Sequence, residues 1–505
     1  MNNIKKYILT LDEGTTSARA LITDKEGNII AVEQSEFTQY FPKEGWVEHD
    51  AIEIWNTQRS ALVQVLNKSG IDPSQIEAIG ITNQRETAVI WNKETGLPIY
   101  NAIVWQDQRT ADYCQTFDKD TLEMVKQKSG LIINPYFSGT KVKWILDNVP
   151  NARQLAKEGK LMFGTINTWL IYRLTGGEVF VTDHTNAQRT LLYNIHTNDW
   201  DDELLKLFDI PRNILPEIKS CSEVYGYTFK GLFSKGNEQR IKIASSIGDQ
   251  QSALFGQLCL EKGQVKVTYG TGCFILTNTG EEIVKSNHGL LTTVAYSFKD
   301  KVYYALEGSV MIAGAAVQWL RDNLRIVYNA IETEWYAGQV KDDRRVYVVP
   351  SFTGLGSPYW DSFSRGAIFG LDRGTRREHI VRATLEAIAY QANDVVDAMG
   401  KDMKKPIEIF KVDGGAANNK FLMQFQSNIS QSKVIKPTNI ETTAMGAAFM
   451  AGLAVGYWEN VEELKKTYKV HFELTPELSK PEVDKLIKGW KVAVQRTFKW
   501  VEEIE

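Results

Sequence analysis

Residues Tyr7 to Ile22 read YILTLDEGTTSARALI, an apolar run that ends in one carboxylate and then turns through Gly-Thr-Thr-Ser. A strand rich in aliphatic and aromatic residues delivers Asp12 to its end. Gly14 permits a sharp turn, and Thr15, Thr16 and Ser17 present hydroxyl and backbone donors suited to phosphoryl oxygens. Asp12 suits Mg2+, directly or through water, because that cation prefers carboxylate and water oxygens. Read alone, the stretch is explained equally well as a Gly-Thr hairpin with a solvated Asp. It is not a Walker A loop, since no Gly-Lys-Ser/Thr follows.

Working outward, the same pattern of strand, Gly-Thr turn and strand recurs from Gln264 as QVKVTYGTGCFILTNTG. The recurrence suggests two related α/β domains facing each other across a cleft, although two unrelated hairpins fit as well when only these stretches are compared. Between them, three strands end in unusual polar groups. Ile76 to Thr82 ends at Asn83-Gln84-Arg85-Glu86, Ile103 to Trp105 at Gln106-Asp107-Gln108-Arg109, and Ile241 to Ile247 at Gly248-Asp249-Gln250-Gln251. A helix over Ser252 to Leu260 follows. Helices are also expected over Trp55 to Leu66, Gly308 to Leu324, His379 to Met399 and Glu482 to Glu505. Pro211 to about Arg240 reads as a loop-rich insertion, and Thr442 to Trp458 as a tightly packed soluble helix, too short and too rich in Gly and Ala for a membrane span.

A chain of 505 residues exceeds what one hydrophobic core usually supports, so at least two large domains are expected. With 58 basic against 62 acidic side chains, it offers no basic face for nucleic acid or a membrane surface. The start, MNNIKKYILTLDEG, meets Asp12 and Glu13 after too few apolar residues for a secretory signal, which makes the cytoplasm the expected compartment. Cys114, Cys221, Cys259 and Cys273 are widely spaced and the six histidines scattered, so neither a metal cluster nor a disulfide framework is expected. General-base work then falls to a carboxylate.

Ligands of open α/β sheets collect at strand C-termini, so the three polar strand ends are candidates for one site. A guanidinium, carboxylates and a carboxamide, walled by Trp105, Tyr136 or Phe274, suit a small polyhydroxylated molecule. Each member also has a plain structural explanation: Arg85 can pair with Glu86 or Asp107, and Trp105 can be core.

Ten motifs in order, from DEGTTSARA at Asp12 through ITNQRET, YNAIVWQDQRT, YFSGTKVKWILDN, GDQQSALFGQ and YGTGCFILTNTG to VDGGAANNKFLMQFQ, cover nearly the whole chain. Together they resemble the FGGY family of carbohydrate kinases, in its glycerol-phosphorylating branch, within the actin-like ATPase superfamily. The resemblance implies two actin-like, ribonuclease H-like α/β domains with mixed sheets facing a central catalytic cleft. Residues 1–255 would carry the glycerol site and first phosphate hairpin, and 256–505 the second hairpin and adenosine site. It implies Asp249 as catalytic base, with Arg85, Glu86, Trp105, Tyr136, Gln250 and Phe274 around glycerol. ATP would be held by Thr15, Thr16, Ser17, Arg19, Thr271, Gly314, Gln318, Gly415 and Asn419, with Mg2+ near Asp12. It further implies a homodimer or homotetramer acting on glycerol and ATP. Relatives inhibited by fructose 1,6-bisphosphate carry a Gly-rich, Arg-containing loop before the GDQQ strand. Here KGLFSKGNEQRIKI has fewer glycines, though Arg240 and Gly236 remain. Tyr225 to Phe229 offers no histidine for phosphorylation-dependent activation. Rival readings are another sugar or polyol kinase of the family and a non-catalytic nucleotide switch.

Overall fold

A computed structural model describes residues 5–234, 236–341 and 345–504, so Met1 to Ile4 of the basic start and Lys235 of the polar loop lie outside them. The chain forms two compact units. The first comprises 1–258, 293–304 and 441–468, and the second 259–292, 305–440 and 469–505.

The first unit is built on a six-stranded mixed sheet in the order Ser222–Tyr227, Lys242–Gly248, Ile76–Asn83, Tyr7–Glu13, Ser17–Thr23, Ile29–Glu36. Lys242–Gly248, Ile76–Asn83 and Tyr7–Glu13 run parallel and the outer pairings are antiparallel. The parallel strands are buried almost throughout, as their continuous apolar runs require. Ile29–Glu36 alternates half-buried and exposed, as an edge strand does. Helix Ala51–Ser69 starts at Asp50, whose carboxylate accepts from Ile52 N and Glu53 N, and ends at Gly70 in the left-handed conformation. Its buried Ile54, Trp55, Gln58, Ala61, Leu62, Val65 and Leu66 recur at helical spacing and face strands Ser17–Thr23 and Ile29–Glu36.

A second helix, Thr442–Ala454, returns to this unit from far along the chain and packs on the three parallel strands and on helix Asp249–Gly256. Backbones meet at that helix pair: a Cβ on Gly446 would stand 1.9 Å from Ser252 O, and one on Gly256 1.9 Å from Thr442 O. Only glycine permits that approach.

The second unit contains five neighbouring strands of a seven-stranded sheet, Cys273–Gly280, Val265–Tyr269, Ile409–Asp413, Lys433–Pro437 and Val470–Leu474. Its core gathers around helix Arg377–Met403, with Tyr390 stacked on Trp490 of helix Lys480–Gln495 at 5.1 Å. No helix among the described residues is long and apolar enough to cross a membrane.

Four expectations need correction. Pro211 to Arg240 is not only loop, because Ser222–Tyr227 forms an edge strand against Lys242–Gly248 despite its polar composition. Gly308 to Val310 completes strand Lys301–Val310, whose aromatic and β-branched residues favour extension, and the helix is Gly314–Asp322. The helix after the third strand end begins at Asp249, not Ser252. The C-terminal helix runs over Lys480–Gln495, with Trp500–Ile504 separate.

Candidate active site

Register places the polar groups. Glu13 pairs with Asn83, and Asn83 with Gly248, so the three parallel strands end level with one another. Residues one to three positions beyond or before those ends therefore share one sheet edge: Asp12, Arg85, Glu86 and Asp249.

Arg85 is the hub of that edge. Its side chain is buried, and its Nε lies 3.2 Å from Asp249 Oδ1 and 3.8 Å from Glu86 Oε1. Nη1 donates to Gln251 Oε1 at 3.2 Å and Nη2 to Tyr136 OH at 3.3 Å. Glu86 holds a left-handed backbone conformation, φ 62°, unusual for a non-glycine residue and a form of stored strain common at binding sites. Its carboxylate accepts from Arg189 Nε at 2.5 Å, and its carbonyl from Ser138 Oγ at 2.8 Å. Arg189 is buried and lies over the rings of Tyr136 and Phe137. Asp249 is half-buried, and its Oδ1 also accepts from Gln250 N at 2.7 Å, while Gln250 Nε2 approaches Oδ2 at 3.4 Å. A carboxylate so held keeps one oxygen fixed and presents the other edge to a hydroxyl.

Trp105 is half-buried beside this cluster. Its Nε1 donates to Thr15 Oγ1 at 2.9 Å and its ring meets Tyr136 edge-on at 5.6 Å, which ties the first turn to the aromatic wall. Asp107, offered from sequence as a member of the cluster, is committed elsewhere. It accepts from Val47 N and from Arg109, and Arg109 also pairs with Glu48 and lies over the rings of Trp46 and Trp144.

The Tyr7–Ile22 hairpin closes through Gly14 N donating to Ser17 O at 3.0 Å. Thr15 Oγ1 accepts from Trp105 and Ser17 Oγ from Gln34 Nε2, so both hydroxyl protons remain available to a ligand. Asp12 sits opposite Arg19 in the hairpin, their side chains 3.4 Å apart, and Arg19 also pairs with Glu441. Burial pushes the Asp12 carboxyl up to about 6; Arg19 opposes the rise, and Asp249 and Glu441 add to it. A cation beside Asp12 relieves both the desolvation and the repulsion from Asp249. No cluster of three or more His, Cys, Asp or Glu suited to a metal occurs among the described residues. The buried Asp12 carboxylate, beside Asp249, is a donor of the kind Mg2+ takes together with water and substrate phosphates.

In the second unit the turn between Val265–Tyr269 and Cys273–Gly280 leaves Thr271 exposed, while Phe274 is half-buried. Thr271 O accepts from Ala313 N and Ala315 N, and Gly270 O from Gly314 N, so the turn is tied to the start of helix Gly314–Asp322. Gln318 is exposed on that helix. A Cβ on Gly415 would meet nothing within 4 Å, an open approach to backbone. The Asn419 side chain is committed as a helix cap: Oδ1 accepts from Leu422 N and Nδ2 donates to Thr333 Oγ1. Gln251 and Arg189, which position Arg85 and Glu86, were missed from sequence. Gln251 stands two residues after Asp249, a signal that was available; Arg189 stands in TNAQRT, which carries none.

The profile of the FGGY family of carbohydrate kinases, N-terminal domain, matches residues 7–256, and that of the C-terminal domain matches 265–455. The chain is similar to the curated glycerol kinase of Mycoplasma mycoides, 98% identical over 505 residues and all of both chains. It is 61% identical to that of Mycoplasmoides gallisepticum, covering 99% of each. Among solved structures it resembles Plasmodium falciparum glycerol kinase with ADP, 38% identical at a TM-score of 0.92 with 98% of each chain covered. A gluconate kinase of Lactobacillus acidophilus, 22% identical at a TM-score of 0.87 with 99% of this chain and 100% of that one covered, shares the fold.

Proposed function

The chain belongs to the FGGY family of carbohydrate kinases, and from that premise we propose that it transfers the terminal phosphoryl group of ATP to glycerol, giving ADP and sn-glycerol 3-phosphate. What carries the reading is the whole-length identity with curated proteins of that activity. The cluster around Arg85 supplies a chemistry for it.

Arg85 and Glu86 bind glycerol hydroxyls, the guanidinium donating and the carboxylate accepting, while Tyr136, Trp105 and Phe274 bury the C–H faces. Asp249 accepts the proton of the attacking hydroxyl, with Gln250 beside it. Thr15, Thr16, Ser17 and Arg19 take the β- and γ-phosphates, and Thr271, Gly314, Gln318, Gly415 and the backbone at Asn419 frame the rest of the nucleotide. Asp12 would hold Mg2+, which would supply positive charge against that of the transferring group. Residues 1–255 carry the glycerol site and first phosphate hairpin, and 256–505 the second hairpin and adenosine site. The protein acts in the cytoplasm as a homodimer or homotetramer.

The test is a coupled assay with ATP and Mg2+ across glycerol, dihydroxyacetone, xylulose, ribulose and gluconate. Glycerol is expected to give the highest kcat/KM. A clear preference for a pentulose or gluconate overturns the substrate, and ATP hydrolysis indifferent to every polyol overturns the kinase reading.

A further inference from the structure

Lys141 lies on helix Ser138–Asn148 with its side chain wholly buried, and no motif assigns it a role. Its Nζ donates to Pro135 O at 2.5 Å, Tyr136 O at 2.7 Å and Phe137 O at 3.2 Å. Three successive carbonyls turned onto one nitrogen need three N–H donors, which only the ammonium form has. The middle residue of that turn carries the phenol that accepts from Arg85 Nη2 at 3.3 Å and the ring that meets Trp105.

We propose that Lys141 is a positioning residue for glycerol: its ammonium gathers the carbonyls of residues 135–137, and so fixes the turn that aims Tyr136 at Arg85. The proposal rests on the reading of Tyr136 and Arg85 as glycerol-binding residues. Lys141 itself touches no substrate and acts through the turn.

The surroundings make this clamp sensitive to pH. Burial pushes the Lys141 ammonium down to about 7, and the charged and titratable groups facing it are Glu86, Asp107, Cys114 and Arg109. Glu86 and Asp107 favour the protonated form, Arg109 opposes it, and burial outweighs them; Cys114, its thiol pushed up to about 11 by burial, stays neutral beside the titrating ammonium. Once the proton is lost, two N–H groups face three carbonyls and one buried acceptor goes unpaired.

The test is Lys141→Met, which keeps the apolar stem and removes the donors, read beside Tyr136→Ala. Lys141→Met is expected to raise the glycerol KM about tenfold while kcat and the ATP KM stay within about twofold. A folded Lys141→Met with unchanged glycerol KM, when Tyr136→Ala raises it, overturns the proposal and leaves the glycerol site standing. No change in either variant overturns the site reading and the proposal with it. Should Lys141→Met not fold, the wild type decides. Its glycerol KM is expected to rise at least about threefold between roughly pH 6 and pH 9, with the ATP KM not following, and a flat glycerol profile overturns the proposal.

Discussion

Arg85 Nε and Asp249 Oδ1 stand 3.2 Å apart, joining the ends of two adjacent parallel strands through one ion pair. The pair fixes which oxygen of Asp249 is held and which edge is presented, so removing either partner has a different kinetic signature.

Asp249→Asn keeps the shape and removes the base. A fall in kcat of about 10³-fold or more is expected, with glycerol binding still measurable by calorimetry. A variant turning over near the wild-type rate would reassign the base.

Arg85→Ala removes a donor to glycerol hydroxyls and the partner of Asp249. The glycerol KM should rise by about 10²-fold, a larger change than in kcat, and steady-state kinetics with saturating ATP measures both. An unchanged glycerol KM counts against Arg85 as a ligand.

Asp12→Asn should separate stability from activity. The Asp12 carboxyl is raised from 3.8 to about 6 in the fold, so the ionised form costs stability, fully above the folded value and not at all below the unfolded one. At pH 7 without Mg2+ the Asn variant is expected to be more stable by roughly 1–3 kcal/mol, the lower end if Arg19 loses by the change. Its thermal advantage shrinks as pH falls from about 6 toward about 4, while its turnover at pH 7 drops. A melting temperature that falls in the variant at pH 7 would contradict the burial argument.

Gly446→Val drives a side chain into Ser252 O on the helix that begins with Asp249. A loss of several kcal/mol is expected by chemical denaturation, because the contact is backbone and has no flexible end to move aside. Gly456→Val serves as a control for bulk alone, since no heavy atom lies within 4 Å of a Cβ there, although its left-handed backbone, φ 72°, adds local strain.

Where strands are buried on both faces, as at Tyr7–Glu13 and Ile76–Asn83, long apolar runs announce them, and their polar ends announced Arg85 and Asp249. Ser222–Tyr227 escaped because SEVYGY, half-buried or exposed throughout, carries no apolar run. Asp107 reads as a member of the strand-end cluster in VWQDQRT because its partners, Val47 N and Arg109, depend on how the loop folds back. Asn419 enters only through the family resemblance, and its capping contact with Leu422 N depends on how the VDGGAANN stretch folds. Arg189 and Lys141 do not stand out as participants because their importance lies in what they touch, Glu86 and the carbonyls before Ser138; Lys141 lies within YFSGTKVKWILDN, but the motif does not reveal those carbonyls.

Helix Thr442–Ala454 belongs to the first unit although it is encoded near the end of the chain. On the ribosome, the six strands of that unit are all made long before the helix that covers three of them, and synthesis at about 5–20 residues per second separates the two by on the order of ten seconds or more. During that interval the apolar face of strands Tyr7–Glu13, Ile76–Asn83 and Lys242–Gly248, and the glycine-lined side of helix Asp249–Gly256, lack their partner. The first unit to be translated is thus among the last to be finished, and the nascent chain depends on chaperones or on delayed docking to keep that face from other chains until residue 454 has emerged.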